Sequence, residues 1–303
     1  MRSALHNWQL FAIAVLVWGT TWHAIVYQLA HTSPAFGVAL RFGAAGAAVL
    51  AWCAWRGEQL RFSAPEHARL ALQGAFMYSV SYLCIYHAER FVPSGLVAVG
   101  YSASPLLLGV VAWALWRTPL TRRFLFGGVL CLAGVVLIFW PELAQMTRGT
   151  QALRGAAFTA SAVLLSAVGS LIASRNKGAG LPFWPALGYG MLYSSAVSWL
   201  FVVGDGQVMA WPASLSWWLS WAYLSIFGSV LAFACYLTLQ QRLGPGAAST
   251  VGTATPVIAL LVSTAFEGYR PGLVSVLGIL LAVVGNLLIL GARVSSAASP
   301  AAE

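Results

Sequence analysis

The chain repeats itself. A shift of 151 positions brings Gly95 onto Gly246, Pro105 onto Pro256, Gly127 onto Gly278 and Gly134 onto Gly285. The text around these anchors agrees, since residues 101–105 (YSASP) fall opposite residues 252–256 (GTATP). A fixed internal period constrains the architecture before any local reading does. Each copy is too apolar for a water-soluble solenoid. Of 303 residues, 60% are hydrophobic and only 8% charged, whereas soluble domains carry about 25% charged residues. The solvent that suits this composition is a lipid bilayer.

A spanning helix needs roughly 20 mostly apolar residues. Ten segments meet that need, over residues 8–28, 34–55, 68–89, 94–116, 123–140, 153–174, 183–203, 214–240, 246–266 and 272–291. The eighth is long. Trp211, Trp217, Trp218 and Trp221 assign its first part to the headgroup level, which tryptophan favours. The connections are too short for a sizeable soluble domain. Arg2 leads straight into a full-length span with no small-residue cleavage site, so no cleavable signal is expected. The expected fold is an all-α polytopic integral membrane protein. It has two five-helix repeats, residues 1–145 and 146–293, and a disordered tail over 294–303.

Charge placement sets the expected orientation. With the N-terminus inside, Arg2, Arg56, Arg61, Arg69, Arg117, Arg122, Arg123, Arg175, Lys177, Arg242 and Arg293 fall on the cytoplasmic side. Arg90, Arg148, Arg154 and Arg270 fall outside. This bias obeys the positive-inside rule, so the net charge of +9 is a topological signal and not a nucleic-acid footprint. Both termini are expected in the cytoplasm. Five spans per copy is an odd number, so the second copy must lie upside down relative to the first. Inverted repeats place a binding site near the midplane, at the repeat interface, and supply the symmetry for alternating access.

Several motifs, taken together, resemble one family. Trp18-Gly19-Thr20 is similar to the W-G-[ST] signature of EamA-type carriers of the drug/metabolite transporter superfamily. Arg41-Phe42, Ser104-Pro105 and Thr255-Pro256 match that family's pattern as well. So do Gly127-x6-Gly134 and Gly278-x6-Gly285. Within the superfamily, the abundance of aromatics is most similar to the exporters of aromatic amino acids. The resemblance implies ten helices around a central cavity and a small amphipathic metabolite as substrate. One departure stands out. The family often carries Glu at the ends of both the fourth and ninth spans. Here Glu267 fills the second slot, but Trp116-Arg117 occupies the first.

The residues themselves nominate a site. Tyr78, Tyr82 and Tyr86 recur every four positions and share one helix face. Hydroxyls in hydrocarbon need partners, so Tyr78 and Tyr82 are assigned to a cavity wall, whereas Tyr86 suits either that wall or an interfacial belt. Ser229 and Phe233 are their counterparts in the second copy. Pro105 and Pro256 lie deep in spans, where each displaces the carbonyl four residues earlier. Those carbonyls belong to Tyr101 and Gly252. They either accept a substrate ammonium or are healed by Ser102, Ser104, Thr253 and Thr255; in either case the two prolines suit a hinge or gate. Trp18 and His23 in the first span face small counterparts near Ser170, and Ser166 lies one turn away. Arg41 sits inside the second span, a costly place for a charge. Its readings are an outer gate, snorkelling to the interface, pairing with Glu89, or holding a substrate carboxylate, with the first two favoured.

No carboxylate is expected mid-membrane, so the reading is facilitated export, with proton antiport through His23 as the rival. No cofactor or metal is expected. The cysteines Cys53, Cys84, Cys131 and Cys235 show no C-x-x-C spacing, and no G-x-x-x-x-G-K-[ST] loop or other nucleotide-hydrolysing site is present. The chain lacks H-E-x-x-H and G-x-S-x-G motifs and has only one aspartate, Asp205, which argues against a membrane-embedded enzyme. A receptor or scaffold without transport stands as a third class, and the duplication argues against it. The expected partners are a small-molecule substrate and the lipid bilayer.

Overall fold

A computed structural model describes residues 5–143, 149–204 and 211–297. The described residues are all helical or in connections, with no strand among them. Ten helical segments follow in order. They are α1 Asn7–Leu29, α2 Pro34–Trp55, α3 over 64–88, α4 Ser94–Trp116 and α5 Arg122–Leu143. The second five are α6 Gly149–Gly178, α7 Phe183–Gly204, α8 over 215–243, α9 over 245–266 and α10 Leu273–Ala297. By length and composition, seven helical stretches suffice to cross a bilayer, and two shorter apolar helices, Thr250–Phe266 and Leu273–Ile289, follow them. This is a polytopic membrane protein. The last helix runs past the expected boundary at Arg293 to Ala297. Asp205, Arg148 and residues 298–303 of the expected tail lie outside the described residues.

Local chemistry sets several of the boundaries. Ser33 opens α2 by accepting the Phe36 N–H at 3.3 Å, with Pro34 at the first helical position, where its missing N–H costs nothing. At the start of α3, the Ser63 N–H and hydroxyl both donate to the Glu66 carboxylate, at 2.7 and 2.8 Å. These bonds hold the Glu66 carboxyl below its ordinary range. Gly244, with φ +83° and ψ 162°, separates α8 from α9. Glycine adopts this conformation without steric cost, and Pro245 then begins the next helix.

Two segments are not uniform. Residues Ala75–Val80 in α3 and Leu224–Leu231 in α8 form wide π turns, and the two stretches occupy equivalent places in the two copies. Such turns put carbonyls out of the regular ladder and cluster at functional sites. The second one is used at once. Gly228 accepts the Trp18 indole N–H at 3.1 Å, and the adjacent Ser229 hydroxyl accepts from Arg41 Nε at 2.9 Å.

The helix contacts are reciprocal. The two largest interfaces join α5 to α10 and α2 to α7; α1 packs on α8 and α9, and α6 packs on α3 and α4. At α5–α10 the backbones touch. A Cβ on Gly127 would come 2.6 Å from the Gly285 carbonyl, and one on Gly285 would come 2.5 Å from the Gly127 carbonyl. Gly134 and Gly278 exchange the same contact, at 2.5 and 2.6 Å. These pairings run antiparallel, and small residues at such positions let membrane helices approach closely. The outward faces of the two helices are apolar and exposed, as at Phe126, Val129, Leu280 and Leu287, which suits contact with lipid.

Candidate functional site: an aromatic cavity and its two ends

A cavity of about 830 Å³ lies among α1, α3, α4, α6, α8 and α9. The six helices contribute three from each half. Ligand pockets for small molecules are mostly apolar with a few fixed polar groups. The walls fit that description. α1 supplies Trp18 and Trp22, and α3 supplies Met77 and Tyr82. Tyr101 of α4 faces Ser166 of α6, their hydroxyls 3.1 Å apart. α8 adds Phe233 and Tyr236, both ring-on-ring with Trp18 at 4.9 and 5.3 Å between centroids. Gly252 of α9 lies against the Tyr101 carbonyl. A side chain at Gly252 would meet that carbonyl, so two counterpart residues touch where the halves meet.

Of the nominated residues, Trp18, Tyr82, Tyr101, Ser166, Ser170, Phe233 and Gly252 line this cavity. The others do not. Tyr78 is fully buried behind the wall, edge-on to Phe233 at 4.7 Å, with its hydroxyl accepting from Gln73 at 3.4 Å. Its assignment to the lining is corrected: the π turn at 75–80 rotates the face, so Met77 takes the position instead. Tyr86 is not a belt residue, since it is buried and donates to Gln28 Oε1 at 2.6 Å. Ser102 and Thr253 point away from the cavity. The Ser102 carbonyl accepts from Asn286 Nδ2 at 2.8 Å. Pro105 and Pro256 are buried in the helix contacts. The carbonyl released by Pro105, that of Tyr101, accepts the Ser104 hydroxyl at 2.5 Å, so this kink is healed from within. In the second copy, Thr255 donates to Val251 at 2.7 Å and not to Gly252.

Arg41 departs most from expectation. It does not snorkel. Its side chain has no exposure at all, its Nε donates to Ser229, and its guanidinium carbon lies 4.7 Å from the Tyr82 ring centre and 5.0 Å from that of Phe42. Packing of α2 against α8 carries it inward; a span boundary alone cannot reveal that.

His23 does not line the cavity either. It belongs to a cluster at one end, where its Nδ1 lies 3.0 Å from Glu267 Oε1. Glu267 also accepts the Ser94 N–H at 3.1 Å, the Ser94 hydroxyl in a short bond, and the Ser263 hydroxyl at 2.8 Å. One carboxylate from the end of α9 thus ties together α1 and the first turn of α4. Beyond the cavity's other end lies a smaller space of about 420 Å³ bordered by Gln73, Asn176, Lys177 and Gln240. There Asn176 donates to Gln73 at 2.8 Å and Gln240 donates to the Ser170 carbonyl at 2.7 Å. Sequence reasoning passed over Glu267 as a site residue, as it did Trp22, Tyr236 and the amides. The family-type glutamate slot was the one available signal among them.

Among the described residues, no group of three or more His, Cys, Asp or Glu side chains is placed to hold a metal ion. The model of the EamA-like transporter family matches the chain twice, over residues 8–140 and 153–291. The uncharacterized inner membrane transporter YedA of Escherichia coli K12 is 28% identical over 86% of this chain and 82% of its own length. Protein PagO of Salmonella typhimurium is 26% identical over 94% of this chain and 92% of its own. Protein PecM of Dickeya dadantii is 24% identical over 84% and 82%. One solved crystal structure shares the fold at a TM-score of 0.68 and 21% identity, covering 97% of this chain and 99% of its own.

Proposed function

The chain belongs to the EamA-like transporter family, and from that premise we propose that it exports small amphipathic metabolites, aromatic amino acids first among them, by alternating access around the central cavity. The family is one of membrane transporters within the drug/metabolite transporter superfamily, not of enzymes. The observation that carries the finer reading is the cavity wall. Trp18, Trp22, Tyr82, Tyr101, Phe233 and Tyr236 surround one space of about 830 Å³. Ring pairs contribute about 0.5–1.5 kcal/mol beyond area burial, so such a wall favours an aromatic ligand. The abundance of aromatic residues along the chain points the same way.

Alternating access needs two equivalent bundles in opposite senses. The reciprocal interfaces, the antiparallel glycine contacts and the paired π turns support an inverted relation between residues 1–145 and 146–293. The transport cycle exchanges which end of the cavity is closed. Localisation in a bacterial inner membrane follows from the relatives, and cytoplasmic termini follow from the charge bias.

The test is flux of labelled L-tryptophan through proteoliposomes containing the purified full chain. Saturable, protein-dependent movement supports the reading; no movement above protein-free vesicles refutes it. The His23–Glu267 contact favours a second reading, proton coupling. Export that requires an imposed pH gradient selects it, and tryptophan flux that is indifferent to the gradient selects facilitated transport.

A further inference from the structure

Two buried ionisable side chains, Arg41 and Glu89, lack hydrogen-bond partners at their ends among the described residues. Arg41 has no exposed surface, yet neither of its terminal nitrogens, Nη1 and Nη2, has a hydrogen-bond partner. Both carboxylate oxygens of Glu89 are buried and equally without a partner. The two groups lie within electrostatic range of each other, and Glu89 also senses Glu267. A buried guanidinium and a buried carboxylate normally bind each other or pay a desolvation penalty of several kcal/mol per ion. Tyr82, Tyr86 and Glu89 recur at i, i+4 and i+7 on one face of α3, so the face whose Tyr82 ring meets the guanidinium also carries Glu89. A third unsatisfied donor, Gln28 Nε2, belongs to the side chain that receives the Tyr86 hydroxyl.

This region adjoins the cavity. Tyr82, whose ring covers the guanidinium, is itself a cavity residue. So is Thr21, whose methyl meets the same point above Gly228 as Arg41 Nη2, at 2.8 and 3.2 Å from an ideal Cβ there. The Tyr82 ring therefore lies between the Arg41 guanidinium and the cavity.

We infer that Arg41 and Glu89 together recognise the zwitterionic head of an α-amino acid, the guanidinium taking its carboxylate and Glu89 its ammonium, while the side chain occupies the aromatic cavity. The inference rests on the transport reading above and goes further by naming the head group. An arginine fork accepts a carboxylate in two parallel bonds, and both free nitrogens needed for that are present. Tyr82 turns aside to admit the head group. A ligand with one charge leaves the opposite buried group unanswered, and this penalty supplies the selectivity.

The test compares L-tryptophan with tryptamine, which lacks the carboxylate, and indole-3-propionate, which lacks the ammonium. A fourth arm uses L-leucine, a zwitterion without an aromatic ring. Flux through proteoliposomes of the full chain is the readout. Tryptophan should move at least about tenfold more efficiently than either truncated compound, the size of one charged hydrogen bond. Arg41→Gln should bring tryptophan down to the level of tryptamine while it still outperforms indole-3-propionate. Glu89→Gln should do the reverse. If a glutamine variant elutes as aggregate, Arg41→Lys and Glu89→Asp read the same ratios. Equal wild-type transport of tryptamine or indole-3-propionate overturns the inference but leaves an aromatic carrier. Selectivity that survives both substitutions overturns the assignment to Arg41 and Glu89. Movement of leucine without tryptophan, with the same charge dependence, keeps the head-group site and removes the aromatic reading. No flux of any of the four removes both.

Discussion

Equivalent places in the two halves are tied together by different chemistry. At the Ser94 end of α4, His23 of α1 meets Glu267 of α9, and that carboxylate collects Ser94 and Ser263 as well. At the Trp116 end of α4, the corresponding contact is Arg175 of α6 over the Trp116 ring, 4.2 Å from its centre. Trp116 stands in the slot where the family often carries its first glutamate. One end is therefore tied by a multiply bonded carboxylate, and the other by a cation–π contact beside the amide bonds from Asn176 to Gln73 and from Gln240 to Ser170. An exposed cation–π contact contributes about 0.5–1 kcal/mol, whereas a hydrogen bond to a charged group contributes about 1.5–3 kcal/mol, and the part-buried Glu267 carboxylate has several. Of the two corresponding contacts, the one at Glu267 should be the stronger.

The cavity walls diverge in the same manner. α1 brings Trp18 and Trp22, and its counterpart α6 brings Ser166 and Ser170. Where the halves merely support each other, they have stayed alike. The glycines of α5 and α10 contact backbone to backbone, so no larger residue fits. Scaffold positions match between the two halves, and cavity-lining positions do not.

The most severe break of this comparison is at the scaffold. Gly134→Val places side-chain atoms into the Gly278 carbonyl and the Ala282 backbone. It should cost about 3 kcal/mol or more, read as a lower melting temperature and lost monodisperse protein in detergent. Gly43→Ala is its control. There the close neighbour is the Ser195 hydroxyl at 2.8 Å, a side-chain end that can give, so the loss should be much smaller.

Next comes the carboxylate latch. Glu267→Ala strands His23 and the Ser94 N–H and should raise labelling of a cysteine placed at Ile25 from the Ser94 end. Unchanged labelling would mean that Glu267 merely caps α4. Trp18→Ala follows, because it removes the bond to Gly228 and two ring contacts. A rise in KM for tryptophan of about tenfold is expected, measured in proteoliposomes. The smallest effect belongs to Trp116→Leu. It loses one cation–π contact, so labelling at the opposite end should rise by about five-fold at most. An effect larger than that of Glu267→Ala would reverse the ranking of the two ends.

Much of this was legible in the chain itself. The spans, the break near Gly244 and the reciprocal glycines follow from apolar length, glycine placement and the period, all of which are local or periodic signals. The tyrosine stripe divides. Tyr82 reaches the cavity, and Tyr78 does not because a π turn shifts the face between them, a change that helical spacing does not record. Arg41 was misplaced for a different reason. Its distance from the end of α2 was readable, but not the covering of that end by α8, Phe42 and Tyr82.

What the sequence determined alone is the class of object: a duplicated, apolar, all-helical chain whose composition requires lipid and whose motifs point to a carrier family. Hydropathy and repetition are properties of neighbours along the chain, so they survive without coordinates. The tertiary structure alone decided which side chains meet. It brought His23 to Glu267 across 244 positions, Arg41 to Ser229 across 188 and Trp18 to Gly228 across 210. Burial, pairing and the lining of a cavity depend on how helices are rotated and docked against one another, and no single helix carries that information.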